Sequence, residues 1–497
     1  MIIRDFSERS CPDKKEMALA EFQQTRLESW NADDNENEKK ALSYQRHILK
    51  KVKSMLMSDN YCILNLDTGL GKTFIALSLL CECRALLTND KIPALVIAPA
   101  RNLKDPWEKE IKQFNSSESS GIKHYVYHGI NKDVLLSQDG LQFAGFDIVL
   151  TSYQTLTLKN SNTYFKNTFF PLIIFDEPQK IINPMRLRKT LKDISGLKSK
   201  KRLALTASPL SNSITELYAL ESFIKDPSMI ELAYEFISQN KNDLEILEMK
   251  CRDFSQIISA SKFEQKISDE IKLPKLKEFR LVLPISPSIQ ERLETLSSYP
   301  QQSKLLSNSG LFIKSDNNPF FNSREKVLDI ILSKIPEDEK VIVFSMYTEG
   351  LDSLFAKLSR DYVCFKNNGT MQQKQKETNV KFFKLYSRKA IMLASVKANE
   401  TGLNYQEANN VIFMDAWYNP QVMKQARDRC FRMGQKKAVN VFYLSTNTDF
   451  ENNIWNIEKE KLNITQRILD RDEGGVPVEY DFSNGSNKME RFLWVLD

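Results

Sequence analysis

The sequence has no apolar run long enough to cross a bilayer; its longest, such as ALVIA (94–98) and PLIIF (171–175), have the length of strands. Nor does it open like an exported chain, because MIIRDFSERS carries charge among its first residues and no apolar core. Cysteine is scarce and scattered: seven residues, at 11, 62, 81, 83, 251, 364 and 430. Only Cys81 and Cys83 are close and no second pair completes a zinc set, a count that fits a reducing compartment. No charge of one sign dominates. Lys and Arg exceed Asp and Glu by 70 to 64, a net +6, which permits a nucleic-acid partner only through a local footprint. There is no short-period repeat. These absences point to a soluble intracellular protein, and 497 residues are two or three domains' worth of chain.

What the chain does have is an alternation of short apolar runs with longer helix-like stretches. YCILNL (61–66), ALVIA (94–98), FDIVL (146–150), LIIF (172–175) and RLALT (202–206) form a first set. VIVF (341–344), YVCF (362–365), AIMLA (390–394), VIFM (411–414) and VNVFYL (439–444) form a second. Such runs, separated by amphipathic segments, predict parallel sheets covered by helices on both faces. Between the sets, residues 225–320 are polar and mostly helix-forming, with one extended stretch at EFRLVL (278–283). The expected division is a mobile lead-in 1–40, a first α/β lobe 41–224, a helical insert 225–322, a second lobe 323–449 and a C-terminal helix and tail 450–497.

Two local patterns carry chemistry. The strand YCILNL runs into Asp67-Thr68-Gly69-Leu70-Gly71-Lys72-Thr73, with the helix-like FIALSLL behind it. Glycines there let backbone N–H groups and a helix N-terminus face an anion, with Lys72 on the β- and γ-phosphates and the Thr73 hydroxyl on Mg²⁺. A plain turn between strand and helix would also use glycine, but it would not need Lys-Thr at the helix start. The second pattern is Leu172-Ile173-Ile174-Phe175-Asp176-Glu177, a buried-strand run ending in two acids. At the carboxyl end of a parallel strand these emerge where ligands bind, Asp176 suited to the metal shell and Glu177 to orienting or deprotonating a water.

Taken with further segments, these residues resemble the Swi/Snf-type ATPases, the DNA-translocating branch of helicase superfamily two. LSYQ (42–45), PARNLKDPWEKEI (99–111), DIVLTSYQTL (147–156) and LTASPLSNSITEL (205–217) are similar to that family's first-lobe segments. VIVFSMYTEGLDSL (341–354), Gly369-Thr370 and the stretch 393–444, with Asn-Pro-Gln and QARDRCFRMGQ (425–435), are similar to its second-lobe segments. The resemblance implies two RecA-like lobes, an α/β fold of parallel sheets flanked by helices, with an ATP cleft between them and a helical insert joining them. It implies ATP and Mg²⁺ as cofactors, with Gln45 reading adenine and Gly69, Gly71, Lys72, Thr73, Gly402 and Gln425 lining the nucleotide. Arg429 and Arg432 then reach the ATP from the second lobe, and Arg427 is read as a bystander charge on a helix face. Nucleic-acid contacts carried over by register are Arg101, Thr151, Ser152, Ser345, Thr370 and Lys397.

The implied partner is double-stranded DNA, with nucleosomes or the transcription machinery beyond it, no membrane, and a nuclear location. Three departures stand out. Pro178-Gln179 replaces the usual Ala-His after the acids, Asn399-Glu400-Thr401 replaces a Gly-rich stretch, and Lys397 stands where an arginine is usual. No bromodomain-like, chromodomain-like or zinc-binding appendage is expected, and this compactness resembles viral global transactivators of the baculovirus type. A strand-separating helicase, a polymerase-associated nucleoside triphosphatase and a non-enzymatic DNA-binding scaffold are the rival readings. Retention of Lys72, Thr73, Asp176, Glu177, Arg429 and Arg432 argues against the last.

Overall fold

The computed structural model describes most of residues 41–481; outside it lie 1–40, 482–497 and internal stretches, the longest being 84–91, 130–135, 260–273, 307–322, 397–404 and 470–476. The expected lead-in therefore falls outside the described residues. Apolar runs become central strands because both of their faces are covered. Along β1 (Tyr61–Asn65), Cys62 and Leu64 pack into one core, while Tyr61 and Ile63 pack into another on the opposite face. Val341 and Val343 against Ile342 and Phe344 divide in the same way in the second half.

The first sheet contains β1, β2 (Ala94–Ala98), β3 (His124–Tyr127), β6 (Ile148–Ser152), β7 (Phe169–Asp176), β8 (Lys198–Thr206) and β9 (Ile257–Ser259); β4 (Leu136–Ser137) and β5 (Gly140–Leu141) form a separate hairpin. The second contains β10 (Leu276–Leu283), β11 (Lys340–Ser345), β12 (Val363–Asn367), β13 (Ala390–Ser395), β14 (Asn410–Phe413), β15 (Val439–Thr446) and β16 (Val478–Asp481). Every pairing within the two sheets is parallel. Their orders are β3-β6-β2-β7-β8-β1-β9 and β12-β13-β11-β14-β15-β10-β16. Numbered from its own first strand, each sheet reads 3-4-2-5-6-1-7. One frame is built twice, with no matching repeat in the sequence.

The stretch 225–322, read from the sequence as a helical insert, supplies a strand to each sheet. β9 closes the edge of the first beside β1, and β10 is the first strand of the second, paired with β15 along its whole length. VPVEYD (476–481), in the expected C-terminal tail, contains β16, which pairs with β10 at the sheet edge. Arg280 of β10 fastens this end of the chain. It reaches Glu479 at 2.8 Å and Asn452 at 2.7 Å, and stacks 4.9 Å over the Trp455 ring. The second lobe thus continues through the helix Asp449–Leu469 to β16.

At the carboxyl ends of the second sheet, a buried ion cluster fills the crevice. Asp415, just past β14, accepts from Ser345 Oγ at 2.6 Å and from the Met346 amide at 2.9 Å. Arg324, 2% exposed, bonds Glu451 and lies 3.7 Å from Asp415.

Candidate active site

At the same ends of the first sheet stand the glycine loop and the acidic pair. Leu66 follows β1, and its amide donates to the Thr206 carbonyl at 3.1 Å, which seats the loop's start on the end of β8. Gly69 and Gly71 then take φ of +88° and +80°, left-handed values that favour glycine. A Cβ on Gly71 would stand 2.5 Å from Gln45 Nε2. Gly71 also caps the helix Lys72–Glu82, so the loop ends on a helix N-terminus. Gln45 is buried against the loop, its amide nitrogen 3.3 Å from Tyr44 Oη and 3.5 Å from the Leu70 carbonyl. Lys72 Nζ lies within the loop, donating to the carbonyls of Leu66 (2.9 Å) and Asp67 (3.4 Å).

Asp176 closes β7, two strands from β1 with β8 between them. Asn102 Nδ2 at 2.9 Å and Trp107 Nε1 at 3.2 Å both donate to its Oδ2, and the Tyr153 hydroxyl donates to its carbonyl at 2.8 Å. Burial pushes the Asp176 carboxyl above its usual range, and Glu177 adds to this against the pull of Asn102, Trp107 and Lys72. A buried carboxylate whose bonds to Asn102 and Trp107 both fall on Oδ2 is a donor that suits a hard cation. Asp176 and Thr73 would hold Mg²⁺, whose chemistry is to neutralise charge on phosphate oxygens.

Glu177 is left-handed (φ +51°, ψ +50°), uncommon for a residue with a side chain, and its amide donates to the Leu205 carbonyl at 2.8 Å. Its carboxylate accepts from Gln179, whose carbonyl oxygen accepts from the Thr206 hydroxyl at 3.0 Å.

The second lobe brings cations to this loop. The helix Pro420–Arg427 carries Lys424, which pairs with Asp67 across the cleft at 3.4 Å. A Cβ on Gly69 would lie 3.8 Å from the Arg432 Cβ, so the loop and the arginine segment are adjacent. Burial, then the like charges of Arg432 and Arg101, lower the Arg429 guanidinium from its usual value. Crowded guanidiniums and an ammonium beside a glycine loop fit a polyphosphate. Gln425 sits half-buried one turn before Arg429.

Arg427 is not a helix-face charge. It is buried, with Nη1 at 3.0 and 3.1 Å from the two oxygens of Glu278 and Nη2 at 2.9 Å from Asp428 Oδ1. It staples the end of the arginine-bearing helix to β10. Gln435 closes the segment by donating to the carbonyls of Gln406 and Ala408, each at 2.8 Å. Lys424, Arg427, Gln435, Asn102 and the Gln179–Thr206 pair were all missed as site-shaping residues. Each of them lay in a segment that carries the resemblance or was named as a departure from it, but nothing local marked the contacts they make.

The chain matches the model of the SNF2-related domain over residues 24–304, more than half its length, and that of the helicase conserved C-terminal domain over 322–434. It belongs to the SNF2 family. Family membership sets its enzymatic class, an ATP-hydrolysing enzyme of helicase superfamily two. Among curated relatives, the yeast (Saccharomyces cerevisiae) ISWI chromatin-remodeling complex ATPase ISW1 is 26% identical over 452 residues, 81% of this chain and 38% of that protein. The human SWI/SNF-related matrix-associated actin-dependent regulator of chromatin subfamily A member 1 is 28% identical over 439 residues, 81% of this chain and 41% of that protein. This SNF2 chain spans about two-fifths of the length of these relatives. A solved structure, the Sulfolobus solfataricus SWI2/SNF2 ATPase core in complex with dsDNA, is 22% identical with a TM-score of 0.40, covering 86% of this chain and 91% of that one. That likeness is too loose to place residues by.

For the nucleic-acid contacts expected of an SNF2 protein, the structure makes three corrections. Thr151 and Ser152 are fully buried, their hydroxyls bonded to the Tyr127 carbonyl (3.0 Å) and to Thr155 (2.8 Å). Ser345 is buried on Asp415. Small hydroxyls at strand ends satisfy local polar groups here, so none of the three presents its side chain to a duplex. Thr370 is exposed, bonded to Asn368 at 2.8 Å, and Arg101 lies beside the cleft near Arg429. Lys397, Asn399 and Gly402 fall outside the described residues.

Proposed function

We propose that the protein is a Mg²⁺-dependent ATPase stimulated by double-stranded DNA, which moves along the duplex and displaces or remodels proteins bound to it. The observation that carries this reading is the meeting of the Gly69–Thr73 loop of one lobe with the Arg432 segment of the other. Lys72 and the helix start hold the phosphates, Asp176 and Thr73 hold the metal, and Glu177 orients the attacking water. Arg429 and Arg432 meet the charge that spreads over the transferred phosphoryl group. Because the arginines belong to the second lobe, hydrolysis requires closure, and each cycle of closing and opening supplies a step. Gln45 reads the base, while Gln425 and Gly402 complete the nucleotide's surroundings.

Stepping demands contacts that treat every position alike, which phosphates provide and base edges do not. Arg101, Thr370 and Lys397 are the proposed backbone contacts. Chromatin, the transcription machinery and a nuclear site of action are proposed by analogy with relatives named for chromatin. The test is ATP turnover by the purified protein, alone and with duplex DNA, single-stranded DNA or RNA, beside Glu177→Gln. Stimulation by duplex alone, abolished in the variant, with displacement of a triplex strand but not of a duplex strand, is the expected result. Turnover indifferent to nucleic acid overturns the translocase reading; unwinding of duplex turns it into a helicase.

A further inference from the structure

The helix Pro420–Arg427 leads into the arginine segment, and its own lobe holds it from one side. Met423 and Ala426 are buried in the core of the second lobe, and Arg427 binds Glu278 of β10. Lys424 reaches the other way. Its Nζ stands 3.4 Å from Oδ1 of Asp67, the residue at which the phosphate loop begins. The two side chains are 17% and 37% exposed, so water screens the pair only in part. One turn further on, the Asp428 amide donates to the Lys424 carbonyl at 2.9 Å, which sets Lys424 and Asp428 on one helical face. Burial raises the Asp428 carboxyl most; Arg427 and then Lys424 draw it down, and Asp67 raises it again. Two acids, one from each lobe, are therefore within electrostatic reach of each other, and Lys424 is a cation to both.

We infer that Lys424 is a positioning residue for the arginine segment: its bond to Asp67, beside Asp428, clasps the second lobe to the start of the phosphate loop and sets Arg429 and Arg432 over that loop. The inference rests on the ATPase reading above and deepens it. The arginines need such a clasp for a physical reason. Arg101 belongs to the first lobe and Arg429 to the second, and their like charges oppose closure until a phosphate lies between them. Lys424 and Asp67 supply an opposite-charge contact across the same cleft, within reach of the place where Gly69 and Arg432 are adjacent. Removing the ammonium does more than lose an attraction. It leaves Asp67 and Asp428 uncompensated, so a clasp becomes a repulsion. The Asp67 backbone has a separate task, its carbonyl accepting from Lys72 Nζ at 3.4 Å and from the Leu70 amide at 3.3 Å. Asp67→Asn therefore discharges the clasp and keeps the loop. Lys424 touches no reacting atom. It acts through Arg429 and Arg432.

The experiment uses the full chain with Mg²⁺ and ATP and no nucleic acid. It measures single-turnover hydrolysis, the affinity for a fluorescent ATP analogue and, by small-angle X-ray scattering without nucleotide, the radius of gyration. The variants are Lys424→Met, Lys424→Arg, Asp67→Asn and the Met/Asn double variant. Lys424→Met should slow hydrolysis by about 3- to 10-fold, the effect of a partly screened pair, with analogue affinity within about twofold and a larger radius. Lys424→Arg keeps the charge and should restore both rate and radius. The double variant should be faster and more compact than Lys424→Met alone, because Asp67→Asn removes the acid that Asp428 would otherwise face. Raised salt should narrow the gap between wild type and Lys424→Met, since screening weakens clasp and repulsion alike. Rate and radius unchanged in Lys424→Met overturn the proposal. So does a loss that Asp67→Asn leaves uncorrected, because a lysine serving only its own helix does not respond to a substitution in the other lobe. Loss of analogue affinity in step with the rate overturns it too, and makes Lys424 a phosphate ligand instead. A wild-type protein that turns over no ATP fails the functional reading itself, and the inference falls with it. A wild-type enzyme indifferent to Lys424→Met fails the inference alone.

Discussion

Replacing Arg427 by alanine should destabilise the second lobe by about 3–5 kcal/mol, the cost of stripping one partner from a buried ion pair. The guanidinium serves two carboxylates. Nη1 stands 3.0 and 3.1 Å from the oxygens of Glu278, while Nε and Nη2 stand 3.0 and 2.9 Å from Asp428 Oδ1. Arg427, Glu278 and Asp428 have side chains 11%, 13% and 8% exposed, so solvent screens the stranded acids poorly. Glu278 keeps the Tyr443 hydroxyl at 2.7 Å, which holds the loss towards the lower end of that range. Burial already pushes the Asp428 carboxyl up, and Arg427 is the foremost charge pulling it back. Without that charge the ionised acid is costlier, so the loss should grow as pH rises from the carboxylate range to neutrality. The assay is urea unfolding at fixed m-value, with hydrogen exchange at the amides of β10 and β15 as the local readout. Arg427→Met combined with Glu278→Leu should recover only part of the loss, because it removes one of the two stranded charges and leaves Asp428. A loss below about 1 kcal/mol for Arg427→Ala, the range of an exposed pair, would refute the reasoning.

Gly71→Ala should lower nucleotide affinity by an order of magnitude or more, since it asks alanine to hold φ +80° with its Cβ 2.5 Å from Gln45 Nε2; titration with a fluorescent ATP analogue checks it. Glu221, whose carboxylate accepts from the Tyr61 hydroxyl at 2.8 Å, is pushed up by burial against the pull of that bond. The folded chain then holds this proton to higher pH than the unfolded chain, so its stability falls as pH climbs from the ordinary glutamate range through the raised value. Glu221→Gln keeps an acceptor for Tyr61 and should flatten that slope by urea midpoint; a slope equal to wild type counts against it.

What was legible in the sequence was local. The Gly69–Thr73 loop, the Asp176-Glu177 pair and the central strands could be read because each lies in a dozen consecutive residues with strong apolar or glycine punctuation. β3 and β16 were missed because they are edge strands, only half-buried or exposed, with too little apolar signal to stand out. EFRLVL was read as extended, but its sheet could not be read, since β10 pairs with a strand more than 150 residues away. The same distance hid the residues that shape the site. Asn102 meets Asp176 across 74 positions, Gln179 meets Thr206 across 27, and Arg427 meets Glu278 across 149. A basic residue on a helix reads as solvated until the acid opposite it is known.

The repeated strand order has a mechanical meaning. In the first sheet the ends of the first, fifth and sixth strands carry the glycine loop, the acidic pair and Thr206. In the second, the ends of the fifth and sixth strands, β14 and β15, are locked by Asp415, Arg324 and Glu451. Two castings from one mould have been finished differently at the same edge. The same strand ends that carry the acidic pair and Thr206 in one sheet are therefore taken up by buried ion pairs in the other.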